Sequence, residues 1–267
     1  MKKILSIALA VLMLTTAVLT FASCGEKKDN ELVMATNANF PPYEFVDDGG
    51  AYAGIDVEIA TAIAEKLGMT LKIENVEFGS IVGGVESGKY DMGMAGMTVT
   101  DDRLKHVNFS TSYATGIQAI IVTENSPYTS LDDFYNMDAD GKYLSVKDGV
   151  KIGVQQDTTG DIYCSDTVEN FGFGSENVTS YKNGADAVQA LVTGKVTAVI
   201  IDNEPAKSFV KVNTGLKILD TSYTEEQYAI AISKENTELL EKINKALADL
   251  TAEGKIDEII KKYIPAD

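Results

Sequence analysis

The sequence predicts an α/β protein of two lobes with a ligand cleft between them. Segments with a strand pattern alternate with segments of helical periodicity, and the order strand–helix–strand–helix–strand in the first part of the chain is followed by a second series of the same kind. This alternation predicts parallel sheets with right-handed crossovers. Ligands of such sheets bind beyond the carboxyl ends of the strands, so we expect the cleft there.

The start of the chain is predicted to be a targeting signal. Lys2 and Lys3 precede an apolar run that ends in the small residues of the sequence FASC, which is the pattern of a secretory signal. Because FASC resembles the bacterial lipobox, residues 1–23 are predicted to be a lipoprotein signal peptide and Cys24 the lipidated residue. An uncleaved transmembrane anchor is the alternative, and the run is slightly short for one. Residues 24–31 are predicted to be a polar tether.

The chain is strongly acidic, which excludes some classes of partner. It has 267 residues with 40 acidic and 23 basic side chains, and its formal net charge is −17 at pH 7. This charge argues against nucleic acid and against a basic membrane-binding surface. If Cys24 carries lipid, Cys164 has no disulfide partner, and we expect Cys164 to be a small buried residue.

The first half of the chain predicts short strands and amphipathic helices. Pro41 and Pro42 exclude a helix interior near the N-terminus of this half. Residues 55–68 carry isoleucine or leucine at a spacing of four, acidic residues in the first turn and a final glycine, which together predict a helix. The other predicted elements are strands at 32–37, 70–76 and 90–96 and a weaker helix at 78–89.

The second half of the chain predicts a similar alternation. Strands are predicted at 116–123, 150–155, 196–202, 216–220 and 228–233, and helices at 130–134, 158–163 and 185–195. Residues 236–264 predict two amphipathic helices that are interrupted at Gly254. Residues 135–149 are predicted to form a surface insertion.

Four segments, taken in order, resemble the family 3 extracellular solute-binding proteins, the polar amino-acid receptors of ABC importers. They are GIDVEIATAIAEKLG, DMGMAGMTVTDDRLKHVNFS, VQQDTTG and VIIDNEPA, and the resemblance covers roughly residues 32 to 267. It implies the type II periplasmic-binding-protein fold with two hinge crossovers and an inter-lobe cleft. The implied parts are lobe 1 at 32–112 plus 229–267, lobe 2 at 118–223, and hinges at 113–117 and 224–228.

The same resemblance implies a receptor rather than an enzyme. We expect a monomer that binds an amino acid and delivers it to a permease and ATPase complex, with a lipid anchor holding it to the outside of the cell membrane. No catalytic residue, cofactor or metal is expected. The phosphate-loop-like segment 83–90 has Tyr90 in place of the hydroxyl that would bind Mg²⁺. The single histidine, His106, has no neighbouring metal-ligand pattern, and any His-based catalytic triad would depend on it alone.

The binding residues implied by the resemblance fit a zwitterionic ligand. Arg103 is the only arginine in the chain. Its planar guanidinium can hold a carboxylate through two parallel hydrogen bonds, which lysine cannot do. The hydroxyl and amide of Thr98 are expected to help it, and the carbonyl of Gly96 and the carboxylate of Asp202 to bind the ligand's α-ammonium. The full expected set is Asn37, Phe40, Phe78, Gly96, Met97, Thr98, Arg103, Gln155, Thr158, Thr159 and Asp202.

Four of these assignments have a structural alternative. Arg103 could instead form a surface ion pair with Asp101 or Asp102, and Asp202 could cap the following helix. Phe40 and Phe78, which match the family's apolar walls, could be ordinary core. Thr158 and Thr159 stand where a helix N-terminus would present free amides to the carboxylate.

Several positions depart from the family pattern and bear on ligand specificity. Asn37 lies where relatives often carry aspartate, Gln155 where glutamine receptors carry lysine, and Asp157 where relatives often carry glycine. The implied pocket residues include no second cation, which weighs against glutamate and aspartate as the ligand. Neutral polar and cationic amino acids remain. Two further functions stay open: a cyclohexadienyl-dehydratase-like enzyme, for which Glu44 is the acid to nominate, and a ligand sensor.

Overall fold

A computed structural model of the protein describes residues 30–220 and 224–265. The predicted signal peptide and Cys24 lie outside these residues. The strands are β1 (Glu31–Thr36), β2 (Asn39–Phe40), β3 (Glu44–Val46), β4 (Tyr52–Ala53), β5 (Thr70–Asn75), β6 (Met92–Gly93), β7 (Val107–Phe109), β8 (Ala114–Thr123), β9 (Tyr135–Met137), β10 (Tyr143–Val146), β11 (Ile152–Gln155), β12 (Val178–Tyr181), β13 (Ala198–Asp202), β14 (Leu216–Ile218), β15 (Glu225–Tyr228) and β16 (Ala231–Ser233). The α-helices are α1 (Ile55–Leu67), α2 (Ile81–Glu86), α3 (Arg103–His106), α4 (Thr159–Ser165), α5 (Gly184–Val192), α6 (Asn203–Val212), α7 (Thr237–Ala252) and α8 (Lys255–Tyr263).

The first sheet has the strand order β5-β1-β6-β16-β7. β1 and β6 are parallel, as predicted, with Met34 opposite Met92. β16 runs antiparallel to both β6 and β7. The prediction of an all-parallel sheet is therefore wrong, because the chain returns to this sheet late and inserts β16 between two earlier strands.

The second sheet has the order β12-β11-β13-β8-β14, and β15 pairs with β8 beyond this path. β11 is parallel to β12 and β13, whereas β8 is antiparallel to β13 and β14. One half of β8 pairs with β15, with Tyr228 opposite Ala114, and the other half lies in the sheet. The predicted hinges at 113–117 and 224–228 thus fall in one two-stranded ribbon, and their role as hinges stays a prediction.

Helix α1 shows how the first sheet is covered. Ile55, Ile59 and Ile63 are fully buried, as their spacing predicted. Burial of each such side chain stabilises the fold by about 1.5–3 kcal/mol. Gly68 ends the helix in the left-handed conformation, at φ 68°, and its N–H donates to the last turn.

The sequence missed some elements and misjudged one segment. β2, β3 and β4 form a small antiparallel sheet in a region where proline and glycine suggested only turns. The predicted strand 228–233 is two strands, because the chain passes between the sheets at residues 229–230. Segment 135–149 is the hairpin β9–β10, and it is more than a surface insertion because Tyr135 is buried and stacks on Tyr143 with 4.2 Å between ring centroids. Cys164 is buried, as predicted.

The helices give no sign of a membrane span within residues 30–220 and 224–265. None of them combines sufficient length with sufficient apolar character to cross a bilayer.

Candidate functional site

A small cavity lies between the two sheets. Its walls are Asn37, Phe40, Glu44, Phe78, Ala95, Gly96, Thr98, Arg103, Gln155, Thr158, Thr159 and Asp202. The structure therefore brings together every predicted binding residue except Met97. Met97 is fully buried and packs in the apolar cluster beneath Phe78, with Ile81 and Val107.

The strand order explains why distant residues meet at the cavity. Asn37 follows the end of β1, Gln155 is the last residue of β11, and Asp202 is the last residue of β13. The segment 95–98 follows β6, which is parallel to β1. The carboxyl ends of the parallel strands from both sheets thus face the same cavity, as this class of fold requires.

Arg103 is a buried residue of the cavity wall, with 8% of its surface exposed. Its Nη1 donates to the carbonyl of Thr98 at 2.8 Å, its Nη2 donates to the carbonyl of Asp157 at 3.1 Å, and its guanidinium lies 5.1 Å from the centre of the Phe78 ring. The alternative of a surface ion pair is wrong, since Asp102 pairs with Lys105 at 3.0 Å. Two neutral carbonyls fix the guanidinium and leave further N–H groups for a ligand.

Asp202 occupies the first cap position of α6, but its side chain makes no capping hydrogen bond. Its Oδ1 accepts instead from the hydroxyl of Tyr228. Burial, and then the charge of Glu226, raise the pKa of Asp202 to about 7, while hydrogen bonds from Tyr228 and Gln118 lower it. Asp202 therefore does not cap α6, and it lines the cavity.

Asn37 and Gln155 form a hydrogen bond across the cleft. The Nε2 of Gln155 donates to the Oδ1 of Asn37 at 3.1 Å, and the Nδ2 of Asn37 donates to the carbonyl of Val76 at 2.7 Å. The Oε1 of Gln155 is buried and meets no hydrogen-bond donor within the described part of the chain. The first sheet and the second sheet therefore share one polar contact at this wall.

Gly96 and Thr158 owe their places to backbone geometry. Gly96 has φ 52°, and a Cβ added to it would lie 3.0 Å from the Phe40 ring, so both the conformation and the space favour glycine. The Oγ1 of Thr158 donates to the carbonyl of Gln155 at 2.8 Å and caps α4 by accepting from the N–H of Asp161 at 3.4 Å. Thr159 follows and is buried in the wall.

Glu44 and Asp56 form a buried acidic pair beside the cavity that the sequence did not predict. Asp56 accepts hydrogen bonds from the N–H of Gly96 and the hydroxyl of Tyr113, both at 2.8 Å. Burial, then the charge of Asp56 and a hydrogen bond to it, raise the pKa of Glu44 well above its usual range, and burial raises the pKa of Asp56 to about 6. Because two carboxylates cannot donate to each other, the pair holds together by sharing a proton.

Glu226 is a second buried acid that sequence patterns missed. It is 4% exposed, and its Oε2 accepts from the Oγ1 of Thr98 at 3.0 Å and from the Nε2 of Gln118 at 3.1 Å. The sequence placed Glu226 only inside a hinge. A glutamate two residues before the predicted strand 228–233 was the one available signal.

Comparisons with known proteins agree with this architecture. Residues 32–266 match the bacterial extracellular solute-binding proteins, family 3. The arginine-binding extracellular protein ArtP of Bacillus subtilis (strain 168) is 31% identical, over 96% of this chain and 98% of that protein. The solved structure of an ancestral arginine-binding protein bound to arginine has 37% identity and a TM-score of 0.77, covering 88% of this chain and 98% of that one.

A second solved structure bears on the enzyme alternative. The ancestral amino acid-binding protein AncCDT-1, a precursor of cyclohexadienyl dehydratase, is 28% identical with a TM-score of 0.76, over 88% of this chain and 95% of that one. These solved structures share the type II periplasmic-binding-protein fold. The match over nearly the whole described chain leads to one conclusion: the protein belongs to family 3 of the bacterial extracellular solute-binding proteins.

Proposed function

We propose that this extracytoplasmic protein is the receptor of an ABC importer and that it binds an L-amino acid with a cationic side chain in the cavity between its sheets. The observation that carries the proposal is the imbalance of the cavity wall. Arg103 is its one basic side chain within the described residues, while Glu44 and Asp202 are acids. A ligand with one carboxylate and two cationic groups complements that wall.

The carboxylate of the ligand would bind at Arg103. The guanidinium is held by two backbone carbonyls. No acidic side chain among residues 30–220 and 224–265 forms an ion pair with it within 4.0 Å. A cation that is buried without a carboxylate partner costs free energy, which a ligand carboxylate recovers. Bidentate hydrogen bonds would then fix the orientation of the ligand.

The α-ammonium would bind at the opposite wall, where Asp202 and the carbonyl of Gly96 lie. The carboxylate of Asp202 ends β13 in the second sheet, and Gly96 belongs to the first. An ammonium held between them would contact both sheets. A ligand that touches both sides of a cleft favours the closed arrangement by its differential affinity for that state.

The side chain of the ligand would supply donors to unsatisfied acceptors. The Oε1 of Gln155 is buried without a donor among the described residues, and the pair of Glu44 and Asp56, which shares one proton, keeps one negative charge beside the cavity. Buried acceptors without partners each cost about 1–3 kcal/mol. A guanidinium or ammonium would satisfy them, and the rings of Phe40 and Phe78 would flank its apolar stem. The names of the arginine-binding relatives support the same ligand class.

Catalysis is the competing function, because AncCDT-1 is a precursor of a dehydratase. A dehydratase needs a general acid that delivers its proton to the leaving group. Glu44 lines the cavity, but its proton is engaged by Asp56. We therefore propose binding without catalysis. Incubating the protein with prephenate and with arogenate, and finding product, would overturn this.

Calorimetric titration of residues 25–267 with each of the twenty amino acids tests the proposal. We expect L-arginine and L-lysine to bind and glutamate and aspartate not to bind at millimolar concentration. Glutamine is the informative control because it is neutral and of similar length. Equal affinity for glutamine and arginine would contradict the cationic class, and no binding of any amino acid would contradict the receptor itself.

Attachment to the membrane is proposed to depend on Cys24. One acyl chain anchors a protein marginally and two anchor it firmly. Replacing Cys24 with alanine should move the protein from the membrane fraction to the medium or periplasm. Retention in the membrane fraction would favour an uncleaved N-terminal anchor instead.

A further inference from the structure

We infer that Glu44 holds a proton and donates it to Asp56, and that the pair thereby connects the cavity wall to the ribbon of β8 and β15. Asp56 carries the negative charge, and Glu44 is its neutral partner. Both are positioning residues, because they act on the wall through Gly96 and on the ribbon through Tyr113. The effect on ligand binding rests on the proposed function, since it concerns an amino acid in the same cavity.

Backbone contacts place the two acids side by side. The N–H of Ile55 donates to the carbonyl of Pro42 at 3.0 Å. The N–H of Asp56 donates to the carbonyl of Tyr43 at 2.9 Å. Gly54 makes this approach possible, since it has φ 122° and a Cβ added to it would lie 2.2 Å from the carbonyl oxygen of Tyr43. The start of α1 is thus fixed against the residues that lead into β3, and the first residue of β3 is the other acid of the pair.

The hydrogen bonds of Asp56 assign the negative charge to it. Its Oδ2 accepts from the N–H of Gly96 and from the hydroxyl of Tyr113, both at 2.8 Å. Such donors favour the ionised form of a carboxyl group. The helix dipole favours it as well, because Asp56 lies in the first turn of α1. Glu44 is 1% exposed and receives no hydrogen bond at either carboxyl oxygen from the described residues, so it is the acid that keeps the proton.

A single proton satisfies both side chains. The Oδ1 of Asp56 is buried and receives no hydrogen bond within the described part of the chain. A proton that Glu44 donates to Asp56 gives each acid a hydrogen bond and avoids two adjacent negative charges. Burial, and then the charge of Asp56, raise the pKa of Glu44 well above its usual range. The titratable groups that face the pair are Tyr43, Tyr113 and Asp202, and since these are acids too, none of them supplies a positive charge that would release the proton.

Tyr113 connects Asp56 to the ribbon. Its N–H donates to the carbonyl of Tyr228 at 3.0 Å, and β8 begins at the next residue, Ala114, which lies opposite Tyr228 in the ribbon. Gly96, the other donor to Asp56, is a residue of the cavity wall. One charged oxygen therefore holds a wall residue and a residue at the base of the ribbon, through hydrogen bonds that are about twice as strong as neutral ones. A displacement of Gly96 must stretch one of these bonds or move Tyr113 with it.

Infrared difference spectroscopy locates the proton without any ligand. At pH 8 an ordinary glutamate is ionised. The wild-type protein should nevertheless show the C=O stretch of a protonated carboxyl group, which shifts when the protein is transferred to D2O. Glu44→Gln should remove this band, and Asp202→Asn, the matched control at another buried acid, should leave it. Absence of the band in the wild type, or its persistence in Glu44→Gln, would overturn the inference whatever the protein binds.

Binding measurements with L-arginine test the division of roles within the pair. Glu44→Gln imitates the neutral acid, because its amide can donate to Asp56, and it should recover most of the affinity that Glu44→Ala loses. Asp56→Asn removes the charge that holds Gly96 and Tyr113, and it should weaken L-arginine about tenfold or more. Its melting temperature should also lie below that of Glu44→Gln. Equal effects of Glu44→Gln and Asp56→Asn, or the reverse order, would overturn the inference.

Tyr113→Phe tests the connection to the ribbon, because it removes only a hydroxyl from a residue that is not part of the cavity wall. It should weaken L-arginine about three- to tenfold. This loss should not add to that of Asp56→Asn, since both changes affect the same hydrogen bond. Tyr181→Phe, in β12 of the second sheet, is the matched control and should bind like the wild type.

Two results would contradict the connection between wall and ribbon. One is a Tyr113→Phe variant with the affinity of Tyr181→Phe, and the other is full additivity of the Tyr113 and Asp56 changes. Failure of the wild-type protein to bind any amino acid would instead remove the proposed function, and the infrared result would still decide where the proton lies.

Discussion

The two ends of the cleft carry buried groups of opposite charge. At one end Arg103 is a lone buried cation held by the carbonyls of Thr98 and Asp157, and its charge does not depend on pH. At the other end four buried acids lie close together, and burial and mutual repulsion raise the pKa of several of them. We call these four the acidic cluster: Glu44, Asp56, Asp202 and Glu226. The end proposed to bind the ligand's carboxylate, which we call the carboxylate end, therefore stays charged at any pH. The end proposed to bind its ammonium, which we call the amine end, changes its charge with pH.

The largest effect should come from breaking the carboxylate end. Arg103→Ala leaves the ligand carboxylate unpaired in a buried site and should cost about 2–5 kcal/mol of binding free energy by calorimetry. Arg103→Lys keeps the charge without the planar fork and should fall between alanine and wild type. Lys105→Ala is the matched control, since Lys105 is an exposed cation two residues away that pairs with Asp102. Binding by Arg103→Ala within twofold of wild type would disprove this assignment.

A smaller effect is expected at the amine end, where several acids share the task. Asp202→Asn should weaken L-arginine by about 1.5–3 kcal/mol, the range for a hydrogen bond to a charged group. The same change should weaken the binding of 5-guanidinopentanoate, the analogue of L-arginine without an α-amine, much less. The fold should survive, because the side chain does not cap α6. Equal loss for both ligands would make Asp202 a structural residue.

A substitution at Gln155 can change the charge of the cavity wall. Gln155→Lys would place a second cation in the cavity wall and should weaken L-arginine more than tenfold through like-charge repulsion, while L-glutamine changes far less. Gln156→Lys is the matched control, because Gln156 is the exposed neighbour in the same chain segment. If both variants weaken arginine alike, the effect is one of overall charge and the cavity assignment fails.

The pH dependence of L-arginine binding should be the smallest of these effects and the one most specific to the proposed amine end. Since the pKa of Asp202 is about 7 without ligand, an ammonium must displace a proton below that pH. The affinity for L-arginine should therefore fall as the pH is lowered from 8 to 5.5, by at most about tenfold per pH unit. Groups that face Asp202 and contribute are Tyr43, Glu44, Arg103, Gln118, Tyr163, Glu226 and Tyr228.

The stability of the ligand-free protein should change in the opposite direction. The pKa of Asp202 is about 7 in the fold and 3.8 in a model peptide, so the folded state binds the extra proton between these pH values. Stability from this group is present at low pH and is lost as the pH rises through about 7. Asp202→Asn should accordingly raise the melting temperature at pH 8 and abolish most of the pH dependence of binding. An Asn variant with the wild-type pH profile would assign that profile to Glu44 and Asp56.

Local chemistry made parts of this molecule predictable. The spacing of Ile55, Ile59 and Ile63 determined α1, since helix periodicity is a property of neighbouring residues. Arg103 was identified because a planar fork has a function that the chain's lysines cannot perform. Phe40 and Phe78 also lie where the family resemblance placed them.

Long-range pairing was beyond the sequence patterns. The insertion of β16 between β6 and β7 joins residues far apart in the chain, and nothing in their spacing encodes that order. The acids Asp56 and Glu226 read as ordinary polar residues, because their burial depends on tertiary contacts with Gly96, Tyr113, Thr98 and Gln118. The sequence therefore predicted only part of the residues at the proposed amine end of the cleft, and nearly all of those at the proposed carboxylate end.

The ribbon formed by β8 and β15 has a mechanical consequence. Its ladder joins both chain connections between the sheets along four residue pairs, and β8 continues unbroken into the second sheet. Neither connection can swing alone without breaking several backbone hydrogen bonds. A rotation of one sheet against the other must therefore twist the ribbon as a unit, about essentially one axis. In the proposed closure around a ligand, fixing the ribbon would remove a single coordinate of motion, so the entropy lost would be smaller than with two independent linkers.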